Sequence, residues 1–164
     1  MAMTEFQRIQ TLPTDALAPL LAASISEGFR FVERLVREWE EGKACFDRPG
    51  EVLLAAYEGA SIVAIGGLTA DPYTGDPMLG RLRHLYVGPH ARRRGIGRQL
   101  MQALEQVAQT AYRAVVLRTD TASGAQFYES LGYAPLPAGG TATHRRELAA
   151  HSAERAATHL LKRD

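Results

Sequence analysis

Arg92-Arg93-Arg94-Gly95-Ile96-Gly97 is the stretch on which the reading of this chain turns. Before it, Leu82-Arg83-His84-Leu85-Tyr86-Val87 is rich in apolar residues and predicts a strand, stopped by Gly88-Pro89. After it, Ile96, Leu100, Leu104, Val107 and Ala111 recur at three- and four-residue steps, which predicts a helix from about Gly95 to Ala111 with one buried stripe. A glycine-bearing loop between a strand and a helix start is suited to an anion. Glycine lets the backbone come close to a ligand, and the unpaired N–H groups of the first helical turn, with the helix dipole, favour negative charge. Arg92, Arg93, Arg94 and Arg98 surround that cradle with positive charge, as a phosphate-bearing ligand requires.

Two common phosphate loops do not fit. A Walker loop needs a Lys followed by Ser or Thr after its last glycine, and no Lys-Ser or Lys-Thr pair occurs in the chain. A dinucleotide fingerprint needs a third glycine where Leu100 stands.

The spacing that does match is R-x-x-G-x-G after a strand ending in Val and a Gly-Pro turn. On this block the chain resembles the GNAT superfamily of N-acetyltransferases. Leu82 to Pro89 resembles that family's fourth strand and Arg92 to Gly97 its pyrophosphate loop. Ala125-Gln126-Phe127-Tyr128-Glu129-Ser130-Leu131-Gly132-Tyr133 resembles its F-Y-E-x-L-G-[FY] helix end. The resemblance implies a mixed α/β fold, a central twisted mixed sheet flanked by helices, over residues 1–148. It implies acetyl-CoA as acyl donor, held by Arg92, Arg93, Arg94, Gly95, Ile96, Gly97 and Arg98 at the pyrophosphate. Leu85, Tyr86 and Val87 would lie along the pantetheine arm, where their strand splays from the next. The family commonly places an asparagine on that arm seven residues before its tyrosine; this chain has Thr121 there, which cannot replace both ends of an amide. A homodimer is a further suggestion of the resemblance.

Acetyl transfer from a thioester to a primary amine, by direct attack in a ternary complex, needs a neutral amine in line, support for the developing oxyanion and a proton for the departing thiolate. By the same resemblance, a backbone N–H near Tyr86 would serve the oxyanion. By resemblance Tyr128 is the catalytic acid, against the plainer reading that it packs the core beside Phe127. A phenol of pKa ~10 is a weaker acid than a thiol of ~8.5, so a hydrogen bond to the thiolate is the larger share of its expected effect. The family's usual glutamate base is missing from the strand Arg81 to Leu85. His84 is the titratable residue there, either a base acting directly or through water, or a packed histidine. Glu27 is the weaker candidate. Arg81 and Arg83, two residues apart on one strand face, either receive an acceptor carboxylate, pair with nearby acids or point to solvent.

A chain of 164 residues with 46% hydrophobic and 23% charged content suits one folded domain. A net charge of +1 argues against a general nucleic-acid or membrane surface, because the arginines concentrate between Arg81 and Arg98. No apolar run reaches the ~18 residues of a membrane span, and Met1 to Glu5 lacks a secretory pattern, so a cytoplasmic protein is expected. Cys45 is the single cysteine, and the five histidines make no metal spacing, so no metal is expected.

Elsewhere a strand is expected near Phe6 to Ile9, a helix start at Pro13-Thr14, and one amphipathic helix from Ser24 to Glu41 carrying Ile25, Phe29, Val32, Leu35, Val36 and Trp39. Glu51 to Tyr57 and Ser61 to Leu68 predict a hairpin in which Gly66-Gly67 marks a bulge or a close approach. Asp71 to Pro77 is a loop, either an ordinary turn or an arch beside the acceptor. Ala114 to Leu117 predicts a buried strand, parallel to the one before the loop. Ser123 is the expected cap of the Tyr128 helix and Gly132 its end. Thr141 to Leu148 is a last strand, and 149–164 a helical extension packing on its own domain or on a second subunit. Readings from another class are a non-catalytic acyl-CoA sensor, or a module that presents its basic loop to nucleic acid.

Overall fold

In a computed structural model, residues 3–148 are described. The expected extension over 149–164 lies outside them. Along the chain run β1 (Thr4–Arg8), α1 (Thr14–Ser26), α2 (Phe31–Glu40), β2 (Val52–Glu58), β3 (Ser61–Ala70), β4 (Leu79–Val87), a 3-10 turn (Pro89–Ala91), α3 (Ile96–Ala111), β5 (Ala114–Leu117), α4 (Ala122–Ser130), β6 (Ala134–Pro135) and β7 (His144–Glu147). The strands make one mixed sheet in the order β1-β2-β3-β4-β5-β7-β6, in which only β4 and β5 run parallel. This is the mixed α/β architecture expected. A parallel pair needs a crossover, and α3 supplies it.

Each face of the sheet carries its own core. On one face α3 and α4 cover Leu68, Leu82 and Val115 with Leu100, Leu104 and Tyr128. On the other, α1 and α2 cover Leu53, Ile65 and Tyr86 with Leu17, Leu20, Val32 and Leu35. Leu100 and Leu104 are at most 1% exposed, and burying each side chain contributes roughly 1.5–3 kcal/mol. The buried stripe of α3 runs through Met101 and Ala108, while Val107 and Ala111 lie only partly buried at its margin.

The single helix expected from Ser24 to Glu41 is two. Gly28 takes φ +86°, outside the helical region, and the N–H groups of Glu27, Gly28 and Phe29 close back on Ala23, Ile25 and Ser24. Ile25, assigned to the buried stripe, is 50% exposed because it falls in the last turn of α1, just before the break. The cap of α4 also differs. Thr121, not Ser123, is the N-cap, its Oγ1 accepting the Gly124 N–H at 3.0 Å. Gly132 ends α4 as expected, at φ +96°, with its N–H bonded to Glu129 O and that of Tyr133 to Tyr128 O.

Two irregularities in β4 create the space for a site. Ile65 pairs with Tyr86 and Gly67 with Arg83, so β4 holds one residue more than β3 across that step. This is a β-bulge at His84, which adopts φ +59°. Its consequence is a change of face. Leu82 packs on the α3 side before the bulge; Leu85 and Val87 pack there after it, leaving Tyr86 with α1 and α2. The Gly66-Gly67 pair does mark the place, but the extra residue sits on the opposite strand. The glycines make room instead: a Cβ on Gly66 would stand 2.9 Å from Leu85, and one on Gly67 2.5 Å from Phe46. The second irregularity is a splay. β5 pairs with β4 only from Leu79 to Arg81, so the rest of β4 has no ladder partner on that side.

Candidate functional site

A cleft of about 1140 Å³ opens where β4 and β5 part, and it is lined from both faces of the sheet. The bulge and the splay together put α3 and α4 on one wall and the α1–α2 connection on the other. This is the size and placement of a substrate site.

The first wall is built from backbone. Gly95 holds φ +78° and Arg93 φ +62°, which turns the chain into α3. Among the described residues no side chain caps α3, and its first intrahelical bond runs from the Gln99 N–H to Gly95 O. The amides of Ile96, Gly97 and Arg98 therefore have no partner within the helix. A Cβ on Gly97 would lie 3.3 Å from Val87 and 3.4 Å from Phe127, so glycine keeps a narrow approach open. Arg93 and Arg98 line this part of the cleft; the first has no acceptor among the described residues, and the second reaches only Ser130 Oγ at 3.5 Å. An uncapped amide turn, a glycine approach and two available guanidiniums fit a pyrophosphate.

The other two arginines of the loop are turned elsewhere. Arg94 pairs with Glu58 and does not line the cleft. Arg92 lines it, but its guanidinium grips Glu27 with both ends, Nη1 to Oε2 at 2.9 Å and Nη2 to Oε1, while its Nε donates to Val87 O at 3.0 Å.

Leu85, Tyr86 and Val87 line the cleft along the open edge of β4, as do Ile96 and Thr121. The Thr121 oxygen is engaged as the cap of α4. Tyr128 is 9% exposed, with its ring edge-on to Phe127 and Tyr133 at 5.1 and 5.9 Å. Its hydroxyl has no hydrogen-bond partner among the described residues. Burial pushes that phenol well above its usual value, so it stays protonated and can donate.

Several side chains of the second wall are paired. His84 Nδ1 lies 2.8 Å from Phe31 O, a contact that assigns the ring proton to Nδ1 and leaves Nε2 a buried lone pair without a partner among the described residues. Burial first, then the Arg83 charge, lower its pKa to about 4, so the ring is neutral at pH 7. Glu27, the weaker base candidate, accepts from Tyr86 as well as from Arg92. The Arg92 hydrogen bonds, then that of Tyr86, hold its carboxyl below the usual carboxylate range. The Tyr86 phenol is pushed up to about 12 by burial and by Glu27. Arg81 is held by Asp71 Oδ1 at 3.3 Å and Thr141 O at 2.7 Å, under the Tyr73 ring; Arg83 lies 3.6 Å from Glu38. Of the readings open to these arginines, they take the one in which they pair with acids. Asp71 to Pro77 thus borders the cleft through Tyr73.

Sequence reasoning gave Phe29 to a helical stripe and did not single out Arg30, Phe31 or Arg34; all four line the same wall. The signal was present in the four-residue spacing of the arginines and the alternation with phenylalanine, but it was absorbed into an amphipathic helix that does not exist as one piece. Among the described residues no group of His, Cys, Asp and Glu is placed to hold a metal, and no helix is long and apolar enough to cross a membrane.

Residues 49–135 match the family model described as acetyltransferase (GNAT) domain. No curated protein matches the chain. Among solved structures, a candidate acetyltransferase from Exiguobacterium sp. 255-15 is 30% identical, with 95% of this chain and 98% of that one covered at a TM-score of 0.79. A candidate GNAT acetyltransferase from Desulfovibrio desulfuricans shares the fold at 23% identity, covering 90% and 100% with a TM-score of 0.69. So does YncA, a candidate acetyltransferase from Salmonella typhimurium with its cofactor acetyl-CoA, at 14% identity, 91% and 96% coverage and a TM-score of 0.65.

Proposed function

Because the chain belongs to the GNAT acetyltransferase family, we propose that it is an N-acetyltransferase that moves an acetyl group from acetyl-CoA to a primary amine by direct attack in a ternary complex. The observation that carries this reading is the meeting, in one cleft, of an uncapped amide turn and the hydroxyl of a largely buried tyrosine that has no hydrogen-bond partner among the described residues. When bound, acetyl-CoA supplies the thioester.

The amides of Ile96, Gly97 and Arg98, with Arg93 and Arg98, hold the pyrophosphate. The open edge of β4 from Leu85 to Val87 orients the pantetheine arm by backbone hydrogen bonds, and a β4 N–H near Tyr86 serves the carbonyl oxygen as it gains charge. Thr121 contributes to that arm only through groups its capping role leaves free. Tyr128 donates to the sulfur as the C–S bond breaks. Its raised pKa makes full proton transfer uphill, so the hydroxyl acts chiefly as a donor to the thiolate.

On the amine side, His84 and Glu27 are both poor bases: one has a pKa near 4, the other is tied to a guanidinium. The amine then loses its proton to water, and Nε2 of His84 accepts a hydrogen bond from that amine or from a relaying water once the wall opens on binding. Cys45 does not line the cleft, which favours direct attack over an acyl-enzyme. Tying Arg92 and Arg94 to Glu27 and Glu58 also favours a nucleotide ligand over a nucleic-acid surface.

The test is an initial-rate study of thiol release with a panel of primary amines, varying both substrates. Intersecting double-reciprocal lines support a ternary complex; parallel lines would place a covalent intermediate on the path. Binding of acetyl-CoA with no turnover across the panel would favour the sensor reading.

A further inference from the structure

The charges of the second wall do not cancel, and the surplus stands at the α1–α2 connection and the first turn of α2. Arg81 spends its donors on Asp71 and Thr141, and Arg83 faces Glu38, so each is neutralised in place. Arg92 is neutralised by Glu27. Arg30 and Arg34 remain. They stand four residues apart at the start of α2, both line the cleft, and neither guanidinium has an acceptor among the described residues. Arg34 is close enough to His84 to help depress its pKa, which places its charge on the wall where an amine must stand.

The cleft these arginines line also carries an aromatic wall. The rings of Phe29, Phe31 and Tyr86 form a triangle with centroids 5.4 to 6.0 Å apart, and all three residues line the cleft. Two open guanidiniums and an apolar surface in one cleft suit a ligand with an anion at one end and an apolar body. The body lies on the rings, and the amine reaches the splay.

Building on the proposed activity, we infer that the acceptor is an amine that also carries an anionic group, a carboxylate or a phosphate, on an apolar stem, and that Arg30 and Arg34 receive that group. The two arginines are then specificity residues for the acceptor and take no part in holding the acyl donor.

The test uses two matched pairs of amines, phenylalanine with phenylalaninamide and O-phosphotyramine with tyramine. Each is titrated calorimetrically into the CoA-saturated protein and assayed with acetyl-CoA by thiol release. The expected result is that the anionic member of at least one pair binds about tenfold or more tighter than its neutral partner, as one charge-assisted hydrogen-bonded pair can supply. Which pair responds separates carboxylate from phosphate. In the Arg30→Ala/Arg34→Ala variant that advantage disappears, while the neutral amine, the thermal midpoint and acetyl-CoA affinity stay as in the wild type. Equal or better binding of the neutral member in both pairs overturns the inference, and so does binding of neither member. Loss of acetyl-CoA affinity in the variant overturns it too, by assigning the arginines to the donor. Failure of the wild type to bind acetyl-CoA at all would sink the proposed function itself; binding of acetyl-CoA without a preference for anionic amines sinks only this inference.

Discussion

The two walls of the cleft are made of different materials. The wall at α3 presents main-chain amides, shaped by Gly95 and Gly97 and needing no side-chain partner. The wall at α1 and α2 presents charged side chains fixed by others far away in sequence, Arg92 by Glu27 and Arg83 by Glu38. A backbone cradle depends on a short local pattern and suits a ligand group that never changes. A side-chain wall can be rebuilt one pair at a time, and the proposed acceptor specificity is assigned to it.

The largest expected effect breaks the backbone wall. Gly97→Trp drives an indole into the space between Val87 and Phe127 and should weaken acetyl-CoA binding by about 100-fold or more by calorimetry, since the narrow approach cannot widen without moving α4. An unchanged urea midpoint would show that the fold survives the substitution.

Next comes a test of the side-chain wall through its buried histidine. The folded pKa of His84 is about 4 against an ordinary 6.5, so above pH 6.5 the ring is neutral whether folded or not, and below it the unfolded chain binds the proton more readily. Stability is therefore lost as pH falls from about 6.5 through about 4, and at pH 5 this one group should cost about 2 kcal/mol. His84→Asn keeps a residue that tolerates φ +59° and should flatten that part of the pH dependence of the urea midpoint. The kcat/KM profile should show no His84 ionisation between pH 6 and 8.

The third test acts where the walls meet. Tyr128→Phe keeps the ring packed against Phe127 and Tyr133 and removes only the hydroxyl, so kcat should fall at least about tenfold while acetyl-CoA affinity changes little. Unchanged kcat would remove Tyr128 from the mechanism. The smallest effect is expected at the mouth of the cleft. Glu27→Gln releases the Arg92 grip at an exposed pair and should raise the acceptor KM about threefold, leaving acetyl-CoA affinity alone. A larger rise in acetyl-CoA Kd than in acceptor KM would reverse the assignment of that pair to the amine side.

The same division explains what could be read from the sequence. β5, α3 and the loop between β4 and α3 follow from a continuous apolar run, a 3.6-residue stripe and two glycines, all local signals, and the structure places them with shifts of a residue or two, apart from an earlier start to β4. The Schellman-type end of α4 at Gly132 was equally legible. The break between α1 and α2 was signalled by Gly28 alone, and the apolar residues on either side kept a helical spacing across it. The bulge was flagged by Gly66-Gly67, yet its extra residue is His84, because the register of β4 depends on its partner strand. The partners of Arg92 and Arg94 lie 65 and 36 positions away, at Glu27 and Glu58, and no local pattern announces them. Thr121 shows the limit most clearly: a position matched to a ligand contact by resemblance is also the helix cap, a role that the motif spacing cannot reveal.

The most direct test is a crystal structure of the protein with acetyl-CoA. The account requires the pyrophosphate on the amides of Ile96 to Arg98, the pantetheine arm between β4 and β5, and the thioester sulfur within hydrogen-bond reach of the Tyr128 hydroxyl. Acetyl-CoA bound outside the splay, or with its sulfur directed away from Tyr128, would contradict it.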